Sequence, residues 1–176
     1  KTFDTKCYSK SDHAHNSGTF HTNCDGKGES FFLMRLSTGK IVGGYTSEDW
    51  GASTRDYIVD TSAFMFSISD DIKLDIKTSK NGKHAIYHRC DYGMAFGGGH
   101  DLKMNEDMNS GYCNLGNTYE TSGYCTYGDT CKTIFCGAYS SWSVTELEVW
   151  HNPAPPSPAS SCVPPQPPPL PPSPPP

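Results

Sequence analysis

Ser30–Tyr45, SFFLMRLSTGKIVGGY, is the stretch whose reading decides the fold. Two runs rich in β-branched and aromatic side chains flank Ser37-Thr38-Gly39-Lys40, a short turn containing glycine, and that arrangement predicts a β-hairpin. Working outward, AFMFSI at 63–68 and IKLDI at 72–76 predict a second strand pair across Ser69-Asp70-Asp71. Lys83–Tyr87, Gly93–Phe96 and Thr133–Phe135 read as short strands. The final run, Val144–Trp150, interleaves apolar Val144, Leu147 and Val149 with Glu146 and Glu148, as a half-buried strand does. Residues 11–23 predict a helix with Ser11 or Asp12 as its N-cap. Turn signals recur roughly every eight to twelve residues, the spacing of an all-β sandwich. The expected fold class is mainly β (α+β), a two-sheet antiparallel β-sandwich flanked by short helices, followed by a polyproline II tail.

The tail is set apart by composition. All 14 prolines lie between Pro153 and Pro176, and residues 1–152 contain none. Consecutive prolines fix φ and remove backbone donors, so this segment can join neither a helix nor a sheet interior. Polyproline II rises about 3.1 Å per residue, which makes a rod of roughly 70 Å. The predicted organisation is a domain at 1–152 and a Pro-rich tail at 153–176.

Net charge is −5, with 14 Lys and Arg against 19 Asp and Glu. Nucleic-acid surfaces need clustered cations, so that partner class is excluded. No apolar run approaches the length of a membrane span. The chain begins at Lys1 rather than Met, which reads as a mature, processed chain. Eight cysteines, Cys7, Cys24, Cys90, Cys113, Cys125, Cys131, Cys136 and Cys162, give an even count. An oxidising compartment with up to four disulfides is expected, hence secretion to the cell surface, wall or matrix. Zinc fits poorly, because Cys125, Cys131 and Cys136 lack a CxxC pair and a His partner at finger spacing. Eight cysteines allow about a hundred pairings, and the expectation is short-range bridges within 113–136. Cys162 sits inside the tail and could staple it to its own domain or to a neighbour.

Two glycine clusters are the sharpest local signals: Gly43-Gly44-Tyr45-Thr46-Ser47 and Phe96-Gly97-Gly98-Gly99-His100-Asp101-Leu102. A phosphate loop needs Lys and Ser or Thr after its last glycine, whereas His100-Asp101 follow here. Positive φ or close backbone approach explains the glycines better. Together with Phe20-His21-Thr22-Asn23-Cys24-Asp25-Gly26-Lys27-Gly28, these motifs resemble the TLDc domain family. The order matches too: the stretch to Trp50, Asp60–Ile68, Gly116–Tyr119 and Val144–Trp150 follow as they do in that family, so the likeness covers about residues 5–150. The resemblance implies a two-sheet β-sandwich. It supplies no agreed catalytic residues. Intracellular members are linked to oxidation resistance and to binding the proton-pumping vacuolar ATPase. The cysteines and the tail depart from those members and point outside the cytosol, so neither role is carried over.

No enzyme is expected, with no catalytic, metal or cofactor residues assigned. His13 and His15 are poorly spaced for one helical face, and neighbouring His100 and Asp101 would point to opposite faces of a strand. GxSxG and HExxH are absent, and paired cysteines are poor nucleophiles. Asn105, Asp107 and Asn109 have the first three spacings of a calcium loop, but Ser110 replaces its glycine and Gly116 its glutamate. Asn16, Asn109 and Asn117 all lack Ser or Thr two residues on, so there is no N-glycosylation sequon.

The tail therefore becomes the expected glycan carrier. Pro155-Pro156-Ser157-Pro158, Pro167-Pro168-Pro169 and Ser173-Pro174-Pro175-Pro176 resemble the Ser-Pro blocks of extensins and of algal hydroxyproline-rich surface glycoproteins. That likeness implies hydroxylated, O-glycosylated prolines and serines, with Pro164, Pro165, Pro171 and Pro172 as further candidates. The leading reading is a structural subunit of a secreted filament or coat that self-associates head-to-tail through the tail. Val163 and Leu170, with the proline rings, are its apolar contact candidates. A second reading is a carbohydrate- or wall-binding module on a stalk, using Trp50, Tyr112, Tyr124 and Tyr127 to stack on sugars. A secreted redox protein is the third.

Overall fold

The computed structural model describes residues 2–51, 55–121, 123–125 and 129–152. The chain forms two antiparallel sheets. The first contains β1 (Thr5–Ser9), β2 (Ser30–Leu36), β3 (Ile41–Thr46), β5 (Phe64–Ser67), β6 (Ile72–Asp75) and β11 (Val144–His151), in the order β1-β11-β2-β3-β5-β6. The second contains β4 (Asp56–Ile58), β7 (Ile86–His88), β8 (Ala95–Phe96), β9 (Leu102–Met104) and β10 (Gly111–Cys113), in the order β10-β9-β8-β7-β4. Of these strands, β1, β4, β9 and β10 are not among those read from the sequence.

The opening hairpin forms as read. Phe31 pairs with Tyr45 and Arg35 with Ile41, and the turn is closed by the Gly39 N–H on the Leu36 carbonyl at 2.9 Å. Alternation along β2 buries Phe32, Met34 and Leu36 on one face, while Arg35 stays exposed. The second pair also forms, with Phe64 opposite Asp75 and Ile72 and Leu74 turned inward. The two sheets meet where Phe96 of β8 lies 5.6 Å from Phe32 and 5.8 Å from Trp50, ring centre to ring centre. Gly44 makes room for that contact: a Cβ there would stand 2.8 Å from the Phe32 ring and 3.0 Å from Phe96. Burying one such aromatic is worth roughly 1.5–3 kcal/mol.

Four local expectations are corrected, the smallest being the strand read at Gly93–Phe96, of which only Ala95–Phe96 is strand. The first helix, α1 (Ser17–Cys24), starts later than predicted, and its N-cap is Asn16, whose side chain accepts from Thr19 N at 2.7 Å. Ser11 and Asp12 cannot cap it because their oxygens are engaged in a preceding turn, with Ser9 Oγ donating to Asp12 Oδ2 at 2.5 Å and Ser11 Oγ to Oδ1 at 2.9 Å. Thr133–Phe135 is not a strand: Thr133 and Ile134 end a second helix, α2 (Asp129–Ile134), and Phe135 follows it fully buried. The strand read at Lys83–Tyr87 begins only at Ile86, because Lys83 and the left-handed His84 (φ 62°) still belong to the turn after the 3₁₀ segment Thr78–Lys80.

Disulfides join Cys7 to Cys24, Cys113 to Cys136, and Cys125 to Cys131. The last two are the expected short-range bridges; the first ties β1 to the end of α1. Cys90 lies in the loop after β7, where its carbonyl accepts from Ser17 Oγ at 2.8 Å. Residues 153–176 lie outside the described residues, and with them Cys162, Val163, Leu170 and every hydroxylation and glycosylation candidate. No described helix is long and apolar enough to cross a membrane.

Candidate functional site

The outward face of the second sheet is built from strands so short that only a central residue points out. In Ile-Tyr-His, Leu-Lys-Met and Gly-Tyr-Cys the flanking apolar or small residues face the core, which leaves Tyr87, Lys103 and Tyr112 on the other side. Registry aligns them into one row. Tyr57 is opposite Tyr87, Lys103 is opposite both Ala95 and Tyr112, and the Ile86–Phe96 pair places Ala95 next to Tyr87. Side chains in register on one face stand close enough to interact. The row Tyr57–Tyr87–Ala95–Lys103–Tyr112 therefore crosses all five strands.

His100 completes the face. It follows β8 in a left-handed conformation (φ 61°), which turns its ring back over the row. Its ring centre lies 5.1 Å from Tyr87, 5.6 Å from Tyr92, and 6.2 Å from both Tyr57 and Tyr112. At the margins, His84 packs 4.5 Å from Tyr57, and Tyr139, 43% exposed, lies 5.7 Å from Tyr112. Two cations flank Tyr92: Lys103 Nζ lies 3.7 Å from its ring centre and the Arg89 guanidinium 4.5 Å. Arg89 is also paired with Asp91.

Electrostatics keep this face neutral apart from those cations. Burial, followed by the charge of Lys103, lowers the His100 pKa, so its imidazole is uncharged at neutral pH. Burial pushes the Tyr112 hydroxyl up to about 12, so it remains a hydrogen-bond donor. Tyr57 Oη accepts from the Gly99 N–H at 3.2 Å and Tyr92 Oη from Arg89 at 3.3 Å, which leaves each hydroxyl proton to be donated elsewhere. The face can stack against rings and donate hydrogen bonds to uncharged acceptors.

The sequence motifs have structural roles. The Asp101 carboxylate is fully buried and accepts from the N–H groups of Gly116, Asn117 and Thr118 at 2.6, 2.9 and 2.9 Å. Burial outweighs those donors and pushes its carboxyl up to about 6. Gly97 (φ 86°) gives this carboxylate its seat, and Gly98 N donates to Thr118 Oγ1 at 2.7 Å. The cluster is a loop lock, and its amides face protein. Asp60 does the same for the GGYTS stretch, accepting from Thr46 Oγ1, Ser47 N and Oγ, and Ser62 N. His21, in the CDGKG-type segment, is buried against Asp25 at 2.7 Å.

Trp50 is corrected as a sugar-stacking candidate: it is 2% exposed and donates to Ser30 Oγ at 2.8 Å. Tyr112 is on the candidate face. Tyr124 is 42% exposed in the stapled loop, and Tyr127 lies outside the described residues. In the calcium-like stretch, Asp107 accepts from Asn109 N and Ser110 N, both at 2.9 Å, while Lys10 donates to Asn109. Among the described residues no group of three or more His, Cys, Asp or Glu could hold a metal ion.

Sequence reasoning missed Tyr57, Tyr87, Tyr92, His100 and Lys103 as a group. A signal existed in the central residue of each short strand, but only sheet order makes those residues neighbours. A groove of about 540 Å³ on the outer face of the first sheet is the other large feature. On its rim Arg35 Nε lies 3.3 Å from Glu146, and Glu148 accepts from Lys6 at 3.1 Å.

No curated protein matches this chain. The sequence profile of the TLDc domain matches residues 4–152, from just before β1 to the end of β11, and the chain belongs to the TLDc domain family.

Proposed function

We propose that this chain is a structural subunit of a secreted filament or cell-surface coat. The TLDc domain is the bead, and the rigid, O-glycosylated Pro-rich tail is the connector to neighbouring subunits. The observation that carries this reading is the confinement of all 14 prolines to the segment after β11, so that a proline-free domain adjoins an uncharged Pro-rich stretch. Three disulfides in the domain fit an oxidising compartment. A head-to-tail contact that does not close on itself produces a filament. Electron microscopy and sedimentation of the secreted full chain, with glycopeptide mapping of residues 153–176, test it. Assemblies carrying a glycosylated tail are expected; a monomer at all concentrations with an unmodified tail refutes it.

The aromatic face of the second sheet favours one alternative, a carbohydrate- or wall-binding module on a glycosylated stalk. Tyr57, Tyr87 and Tyr112 offer rings of the kind that stack on sugars. Saturable binding of a soluble wall polysaccharide by a chain that does not assemble would select this second reading.

A further inference from the structure

The geometry points to the aromatic face of the second sheet as the socket for the Pro-rich tail of this same chain, with the Pro164–Pro169 segment laid across Tyr57, Tyr87, His100 and Tyr112. This rests on the connector role proposed for the tail, names the surface that receives it, and requires Pro164–Pro169 to be free of glycan, with the sugars confined to the Ser-Pro blocks at Pro155–Pro158 and Ser173–Pro176.

Two complementarities support that occupant. The first is chemical. Proline has no N–H, so within Pro164–Pro169 only Gln166 carries donors, and most of the segment's carbonyls need one from outside. The face supplies such donors in the hydroxyls of Tyr57 and Tyr92, whose oxygens already accept from Gly99 and Arg89, and in the ammonium of Lys103. Aromatic side chains facing polyproline II are a recurring recognition mode, because the rod is already ordered and its rings stack at little entropic cost. The tail carries no charge, and the neutral His100 ring at the centre of the face opposes none.

The second is dimensional. Strands lie about 4.8 Å apart, so the five-strand row spans roughly 19 Å. Polyproline II advances about 9.3 Å per turn, so about two turns, or six residues, cover the row. Pro164-Pro165-Gln166-Pro167-Pro168-Pro169 has that length. The 12 residues between His151 and Pro164 extend about 37 Å as polyproline II, more than twice the roughly 15 Å radius of gyration of a domain of this size.

The test uses the full chain and a synthetic peptide of residues 153–176 carrying Cys162→Ser and a benzophenone group in place of the Gln166 side chain. Photolysis is expected to label the segment from His84 to Tyr112, and excess unlabelled peptide should compete. Tyr57→Ala with Tyr112→Ala should weaken peptide binding roughly tenfold or more. Labelling that falls elsewhere, or affinity unchanged in the double variant, overturns the inference. Because that variant could misfold, competition on the unaltered chain is an independent arm: a wall oligosaccharide that occupies the face while the tail peptide fails to label it also overturns the inference. Sedimentation separates this from the connector reading. Assembly that persists in the face variant sinks the socket and leaves the connector standing. A wild type that stays monomeric while the photolabelled tail peptide is captured on the face upholds the socket and sinks the filament.

Discussion

Gly97→Ala is expected to destabilise the domain by about 2.5–8 kcal/mol, against about 1–2 kcal/mol for Gly39→Ala. The two glycines have the same φ, +86°, so an alanine at either position meets the same left-handed backbone strain, the smaller of those figures. Their surroundings differ. A Cβ on Gly39 would meet nothing within 4 Å. A Cβ on Gly97 would overlap Asp101 Oδ2 and stand 2.7 Å from its Cγ. That carboxylate cannot move aside freely, because it is fully buried and held by the amides of Gly116, Asn117 and Thr118. Each hydrogen bond to a charged group contributes about 1.5–3 kcal/mol, and displacing the carboxylate loses one or two of them. The total is a large share of the roughly 5–15 kcal/mol that stabilises a domain. Urea unfolding followed by tryptophan fluorescence, under oxidising conditions and at constant m-value, reads both variants. In an Asp101→Ala background the Gly97→Ala penalty should shrink to the backbone figure, since the clash partner is gone. Penalties for Gly97→Ala and Gly39→Ala that agree within about 0.5 kcal/mol would refute the reasoning.

Burial pushes the Asp101 carboxyl up to about 6 from its ordinary 3.8, so the native state holds this proton more tightly than the unfolded chain does. Its stabilising contribution is complete below about pH 4 and lost as pH rises through about 6. Stability should fall by up to about 3 kcal/mol across that window, and Asp101→Asn should flatten the slope; parallel pH profiles would contradict this. Replacing both Cys7 and Cys24 by alanine opens a loop of sequence separation 17 and should cost about 3 kcal/mol in denaturant midpoint measurements, with no loss for the unaltered chain kept oxidised. Asn16→Ala removes the α1 cap and should cost about 1 kcal/mol, whereas Ser11→Ala should cost less than half of that; the reverse ranking would reinstate the earlier cap.

The pattern of local residue types was enough to place β2, β3, β5, β6 and β11, because period-two alternation and glycine turns are written in consecutive residues. Proline content sets residues 153–176 apart in composition, and the family match ends at residue 152. The cap of α1 was misread because Ser11, Asp12 and Asn16 have equal intrinsic capping ability, and only the turn after β1 engages the first two. Trp50 read as an exposed ring because aromatic residue type does not reveal burial; packing against Phe20 and Phe96 hides it.

What the sequence by itself determined is therefore the β-rich family domain and the short-range cysteine bridges within 113–136. What only the tertiary structure decided is that Tyr57, Tyr87, Lys103 and Tyr112 share one face. These residues come from four strands scattered over more than fifty positions. Their adjacency is created by the pairing order β10-β9-β8-β7-β4, a long-range property that strands of two or three residues are too short to announce.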